Sequence, residues 1–298
     1  MSNTLTNVKD IKVAQKALLP FTANLLPVTA FSTNFGPQQA DKGDTVRVPL
    51  VGTQSGSSDF AGDYTTNSDS TVSTIPVTLN RHKFKTVHVT ARETSETAMD
   101  LLDTLVAGAA QQLAQDVLLD IMTVITAANY GAPAIAALAA TAFDYKKVLA
   151  LREACGNAKI PASPRSLVLD AGYYTNLLAD DVVAKSFNLN LSAPSVTEGL
   201  VRRLAGFDLH ETVVIPADHA EKLVGFAVHP SAVAVAMRYL TPVAEYQQSG
   251  AVTDPQTGMT FGYLRFTDTR ANKVFVTLEC LYGFTVAKAD ALKRIVKP

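Results

Sequence analysis

The sequence predicts an α+β protein, and three observations predict it. Apolar and polar residues alternate along two segments between 44 and 91, apolar residues recur at spacings of three and four from 94 to 129, and alternation returns from 241 to 298 with turn residues between the runs. Between the second and third regions, 144 to 240, helix and strand signals take turns.

Composition sets the outer bounds. A chain of 298 residues that is 47% hydrophobic can fill a sizeable core. Lys plus Arg number 26 against 27 Asp plus Glu, a net charge of −1, which gives no long-range attraction for nucleic acid or an anionic membrane. Any contact with DNA is expected to be weak and non-specific. Cys155 and Cys280 lie far apart with no second Cys or His at metal-ligand spacing, so both read as buried thiols. The start, MSNTLTNVKDIKVAQKALLPF, has no apolar signal region, so export by a cleaved signal is not expected. Ile121 to Phe143 carries no formal charge, but Asn129, Gly131 and Pro133 interrupt it and Ala and Thr fill much of the rest. It reads as a helix end and a connection, not a membrane span.

The elements follow in chain order. Residues 1–40 form an arm of short apolar clusters broken by Pro20, Pro27, Gly36 and Pro37, a segment expected to wrap across a surface supplied elsewhere. In DTVRVPLV, Val46, Val48 and Leu50 alternate with Thr45, Arg47 and Pro49. The polar stretch GTQSGSSDFAGDYTTNSDSTVST (52–74) follows, with Phe60, Tyr64 and Val72 as its large apolar side chains. It cannot repay its ordering entropy by burying its own surface. TIPVTLNRHKFKTVHVTARE then resumes alternation as one long strand, or two with a bend. Arg81, Lys83 and Lys85 stand on the parity of Ile75, Val77, Leu79, Val87 and Val89, which places them in solvent or against a partner. Residues 41–91 thus read as a long hairpin with an apolar base and a polar far half, and such a ribbon does not stand alone in water.

From 94 to 129 the spacing predicts one continuous helix, N-capped by Thr94 or Ser95, with Met99, Leu102, Val106, Ala109, Leu113, Val117 and Ile121 on its apolar stripe. About 35 residues at 1.5 Å make a rod of roughly 50 Å, which suits a thin, elongated molecule. With the connection to 143 it forms a segment 92–143. Asp144 then caps YKKVLALREACGNA, RSLVLD is strand-like, AGYYTNLLADDVVAKSF and VTEGLVRRLAG are helical, the latter stopping at Gly206, and FDLHETVVIP and KLVGFAVHP are strand-like. In 241–298 a turn at 253–258 and another at 270–272 separate antiparallel strands.

Catalytic signatures are missing. The chain has no G-x-S-x-G, no Walker loop, no dinucleotide fingerprint and no H-E-x-x-H. His82 and His88 share a strand face but stand about 20 Å apart. Asp116 and Asp120, at i and i+4, read as a solvated stripe, and the same holds for Asp180-Asp181. Arg202-Arg203 fit either a grip on a neighbour's carboxylate or phosphate, or the cation-favouring end of a helix. No catalytic residue, metal or cofactor is expected.

The order of these parts resembles the major capsid proteins of tailed bacteriophages, which share the Hong Kong 97 fold. DTVRVPLVG, VTLNRHKFKTVHVTARE, SETAMDLLDTLVAGAAQQLAQDVLLDIMTVI, AGFDLHETVVIP and VGFAVHPSAVAVAMR all look like segments of such coat proteins. The resemblance assigns 1–40 as N-arm, 41–91 as E-loop, 94–129 as spine helix, 144–240 as axial domain and 241–298 as returning peripheral strands. It implies a subunit that forms pentamers and hexamers and closes an icosahedral head around double-stranded DNA, assembled in the host cytoplasm, with a portal and a separate scaffolding protein as partners. Phe60, Tyr64, Val72, Arg81, Lys83, Lys85, Arg202 and Arg203 become candidate inter-subunit contacts. Some relatives cross-link through an E-loop lysine; none occurs from Gly43 to Asn80, so the implied shell is non-covalent. An encapsulin compartment shares the architecture. An α/β hydrolytic enzyme with 52–74 as lid is a reading from another class, and it lacks a nucleophile with a base.

Overall fold

The computed structural model describes residues 17–21, 23–25, 27–34, 45–50, 73–96, 101–183, 201, 203–216, 218–243, 246, 248–254 and 258–298. Strands β1 (Ser32–Asn34), β4 (Arg81–Thr90), β9 (Val233–Arg238), β10 (Gln248–Thr253), β11 (Thr260–Asp268) and β12 (Lys273–Val286) form a six-stranded sheet. The 14-residue β12 is its axis, pairing antiparallel with β11, with β4 over Lys273 to Tyr282, and with β9 over Leu281 to Val286. Even-numbered β12 residues Val276, Leu278, Cys280 and Tyr282 are buried in one core with the helix Leu101–Met122, so this face of the sheet is its inner face.

That helix spans 22 residues, roughly 33 Å. The rod expected to run on to 129 ends instead at Met122, and residues 97–100, between it and the helix before it, lie outside the described residues. Thr90, not Thr94 or Ser95, caps the preceding helix Ala91–Glu96: its hydroxyl accepts from the Glu93 amide at 3.3 Å, while the Glu93 carboxylate takes the Thr90 amide at 2.8 Å. This reciprocal pair is a capping box, and it starts the helix one turn early. At the other end, the β-branched run Thr123 to Thr126 leaves the helix. The Thr123 hydroxyl donates to the Asp120 carbonyl at 2.6 Å, and Thr126 caps a separate one-turn helix, Ala127–Tyr130.

The arm is also corrected in part. Rather than awaiting a surface outside the subunit, Ala17, Phe21, Leu25, Val28 and Phe31 are buried in the same core as the long helix. Phe21 packs on Phe261 with ring centroids 4.7 Å apart, and Phe31 meets Phe226 edge-on at 5.4 Å. Gln115 of the long helix donates to Asn24 at 3.1 Å. β1 then joins β9 in parallel, Ser32 opposite Val233.

A second sheet orders β13 (Leu292–Val296), β8 (Leu223–Val228), β5 (Ser166–Asp170), β7 (Phe207–Thr212) and β6 (Arg203–Leu204). Helices Tyr145–Asn157 and Ala171–Leu178 pack on it around a separate core of Val148, Leu151, Leu169, Tyr174, Phe207 and Ile295. Asp144 caps the first of them as expected. Asp180 joins it there, accepting from the Tyr145 amide at 2.8 Å, and so acts as a structural cap, not as part of a solvated pair. Arg203 and Leu204 are strand, not the helix expected to stop at Gly206. Ala205 and Gly206 both have positive φ, the two-residue loop of a tight hairpin into β7. The sheets also cut the chain differently from the 144–240 and 241–298 segments. β9 belongs to the six-stranded sheet, and β13 returns to complete the five-stranded one.

The two bodies meet at a buried cation. Arg294 on β13 is 2% exposed; it donates to Glu221 at 2.5 Å and to the Gly131 carbonyl at 2.9 Å, while the same Glu221 oxygen takes the Ala127 amide at 2.8 Å. A charge removed from water this fully needs those partners.

Candidate assembly surface

The base of the predicted hairpin is present. β2 (Thr45–Leu50) pairs antiparallel with β3 (Ser73–Thr78), Val46 opposite Val77 and Val48 opposite Ile75. Val46, Val48, Val77 and Leu79 are buried against Ala234 and Ala236 of β9, on the outer face of the six-stranded sheet. The alanines leave room for a second layer, and valines fill it. The chain then bends at Leu79-Asn80 and runs on as β4, so of the two readings of this segment the bent one holds.

Two adjacent residues of β12 frame that bend. On the outer face lies Gly283: a Cβ there would overlap the Thr78 carbonyl oxygen and come within 2.7 Å of its carbon. The glycine lets backbone cross backbone. On the inner face lies Tyr282, whose hydroxyl donates to Asp120 at 2.6 Å. Arg81, directly opposite Tyr282 in register, donates to the other Asp120 oxygen at 2.7 Å. Lys83 donates to the Asp116 carbonyl at 3.0 Å and approaches Asp120 at 3.9 Å. The Arg81 guanidinium also lies 5.1 Å from the Phe284 ring centroid.

Asp120 sits near the C-terminal, negative end of its helix and its side chain is 12% exposed, both unfavourable for a carboxylate. Two donors from two strands, with the Lys83 charge nearby, offset that. Burial first, and then the bond to Asp120, pushes the Tyr282 hydroxyl above its usual value, which keeps it a donor. Asp120 is thus not the solvated residue the sequence pattern predicts. The signal that finds it was present: cations at 81 and 83 share the parity of buried valines, so an acid had to meet them.

Of the other candidate contacts, Lys85 is exposed on β4, and Arg203 lies 3.7 Å from Asp208 on an exposed hairpin, a pair that contributes little. Phe60, Tyr64, Val72 and Arg202 lie outside the described residues. The exposed aromatic Phe84 is not among the candidates. Phe84 is 65% exposed on the outer face of β4, its ring 6.3 Å from that of His82, and farther along the same face His88, Phe275 and Phe266 form a row at 5.4 and 5.0 Å.

The described residues offer little reactive chemistry. Burial pushes the thiols of Cys155 and Cys280 up, which leaves them protonated and poor nucleophiles. Among the described residues no group of three or more His, Cys, Asp or Glu could hold a metal ion, and no helix is long and apolar enough to cross a membrane. His82 pairs with Glu279 at 3.0 Å across β4 and β12, without a third group to orient it for catalysis.

No protein-family model matches the chain, and no curated protein sequence does. Solved structures do. The capsid of Ralstonia phage GP4 is similar with a TM-score of 0.61 at 12% identity, over 90% of this chain and 89% of that one. The capsid of cyanophage P-SCSP1u gives 0.59 at 13% identity, over 90% and 86%. A virus-like particle from Pyrococcus furiosus gives 0.52 at 14% identity, over 95% and 98%. The chain therefore has the fold of a phage capsid subunit. More particularly, it is the α+β Hong Kong 97-type fold, with hairpin base, long helix, six-stranded peripheral sheet and α/β lobe.

Proposed function

We propose that this chain is the major shell-forming subunit of a tailed-phage head: copies join as pentamers and hexamers and close into an icosahedral shell around double-stranded DNA. The observation that carries this reading is coverage, since the likeness to the GP4 capsid takes in 90% of this chain and 89% of that one. The role is mechanical, not enzymatic. The polar stretch 52–74, with Phe60, Tyr64 and Val72, reaches a neighbouring subunit by contact alone, having no lysine to cross-link. Lys85, Arg202, Arg203 and Phe84 join that contact set, while Arg81 and Lys83 hold the hairpin's own base. A net charge of −1 keeps DNA contacts weak and non-specific during filling. Assembly takes place in the host cytoplasm with a separate scaffolding protein and a portal. The span of the likeness to the Pyrococcus particle, 95% and 98% of the two chains, supports a second reading as an encapsulin-type compartment.

Electron microscopy of the purified protein, with scaffold co-expressed, tests the proposal. Closed shells or capsomer rings are expected, and a deletion of 55–71 should leave a folded subunit that no longer assembles. A small monodisperse monomer under every condition would overturn it.

A further inference from the structure

The bend at Leu79-Asn80 is gripped from both sides of one strand. Outside, Thr78 and Leu79 cross where Gly283 lacks a side chain, with the Leu79 Cα 3.2 Å from the position of a Cβ. Inside, Tyr282 and Arg81 reach opposite oxygens of Asp120, at 2.6 and 2.7 Å. A strand could pivot about either contact alone. Two contacts on opposite faces, from adjacent residues, leave it one direction.

From this geometry we infer that Asp120, Tyr282 and Gly283 are positioning residues that set the direction in which β2 and β3 leave the sheet. This rests on the reading that the hairpin reaches a neighbouring subunit, and it adds what aims it. Asp120 is suited to the task because its charge is satisfied in one arrangement of β4 and left short of donors in any other. Gly283 is suited because any side chain there would lift the bend off the sheet. Neither residue needs to touch the neighbour, so their effect on assembly acts through hairpin angle alone.

The test uses the full chain with Asp120→Asn, Tyr282→Phe and Gly283→Ala, and Arg270→Ala, in the exposed turn between β11 and β12, as a control. In the unassembled subunit, amide exchange in 45–50 and 73–85 should rise about tenfold in Asp120→Asn, the loss expected for one charge-assisted hydrogen bond. Gly283→Ala should do the same from the other face, while 145–178 stays unchanged in every variant. Electron microscopy of assembly reactions should show shells of mixed size or open curved sheets for the three variants and uniform shells for Arg270→Ala. Exchange that rises evenly along the chain, or that stays level in both Asp120→Asn and Tyr282→Phe, overturns the inference. So do uniform shells from all three variants. If Gly283→Ala does not fold, the two polar variants decide. Should the unmodified chain form no shells, the shell-forming reading fails, while the exchange pattern still decides the positioning role.

Discussion

Replacing Phe21 by Ala tests whether the arm is part of the subunit's core or a strap meant for a neighbour. Phe21 is 0% exposed and its ring lies 4.7 Å from that of Phe261, whereas Leu19, two residues earlier on the same helical turn, is 75% exposed. Truncating a buried Phe costs about 3–5 kcal/mol, covering the lost burial and the cavity left behind. With an unfolding entropy of about 2.1 cal/mol/K per residue, 298 residues give roughly 0.6 kcal/mol/K. The midpoint of thermal unfolding, followed by circular dichroism on the unassembled subunit, should therefore fall by about 5–8 °C. Leu19→Ala should move it by less than about 1 °C, since exposed substitutions stay within about 0.5 kcal/mol. Equal midpoints for the two variants would refute the reasoning, because they would mean the arm's anchors contribute nothing to the isolated subunit.

The remaining predictions concern single local devices. Thr90→Ala removes the capping box that starts helix Ala91–Glu96 and should cost about 1 kcal/mol, read as a lowered denaturant midpoint with unchanged slope; Ser95→Ala, outside the cap, should leave the midpoint in place. Acid should destabilise the subunit through His210 and His229. Burial holds both below their ordinary value of 6.5, against the Asp208 charge for His210 and together with Lys288 and Arg165 for His229. The unfolded chain then binds more protons below about pH 6.5, so stability is complete above that value, is lost as pH falls from there to the folded-state values, and falls no further below them on this account. Melting midpoints should be level from pH 8 to 7 and drop toward pH 5, with a shallower drop in His210→Gln; an undiminished drop in that variant would remove His210 from the account.

Much of the fold was legible because the determining pattern is local. Period-two alternation placed β2, β3 and β12, turn residues placed the break at Gly258, and Asp144 marked its helix start. What escaped depends on competition or on distance. Thr123 ends a helix by bonding backward, a choice that apolar spacing does not record. Ala205-Gly206 reads as a helix stop until Phe207 is seen to fold back on Leu204. The pairing of β13 with β8, and of β9 with β12, is a matter of which strand edge is free once others have formed. The bend's setting was half legible: cations at 81 and 83 on a buried parity announced an internal acid, but two carboxylates four apart gave no means of choosing Asp120 over Asp116. Gly283 carried no signal at all, because its reason is a carbonyl some two hundred positions away in the chain.

The late return of β13 also sets a clock. β8 can be paired on both edges only after Leu292–Val296 has been made, and the Arg294 that joins the two bodies arrives with it. At about 5–20 residues per second, that strand follows β8 from the ribosome by several seconds. During that interval the α/β lobe has an open edge and the Glu221 carboxylate has no guanidinium to meet. The junction between the two bodies is therefore completed only after the hairpin strands, the long helix and the other strands of both sheets have been synthesised. A chain synthesised only as far as β8 cannot present a finished edge of the α/β lobe.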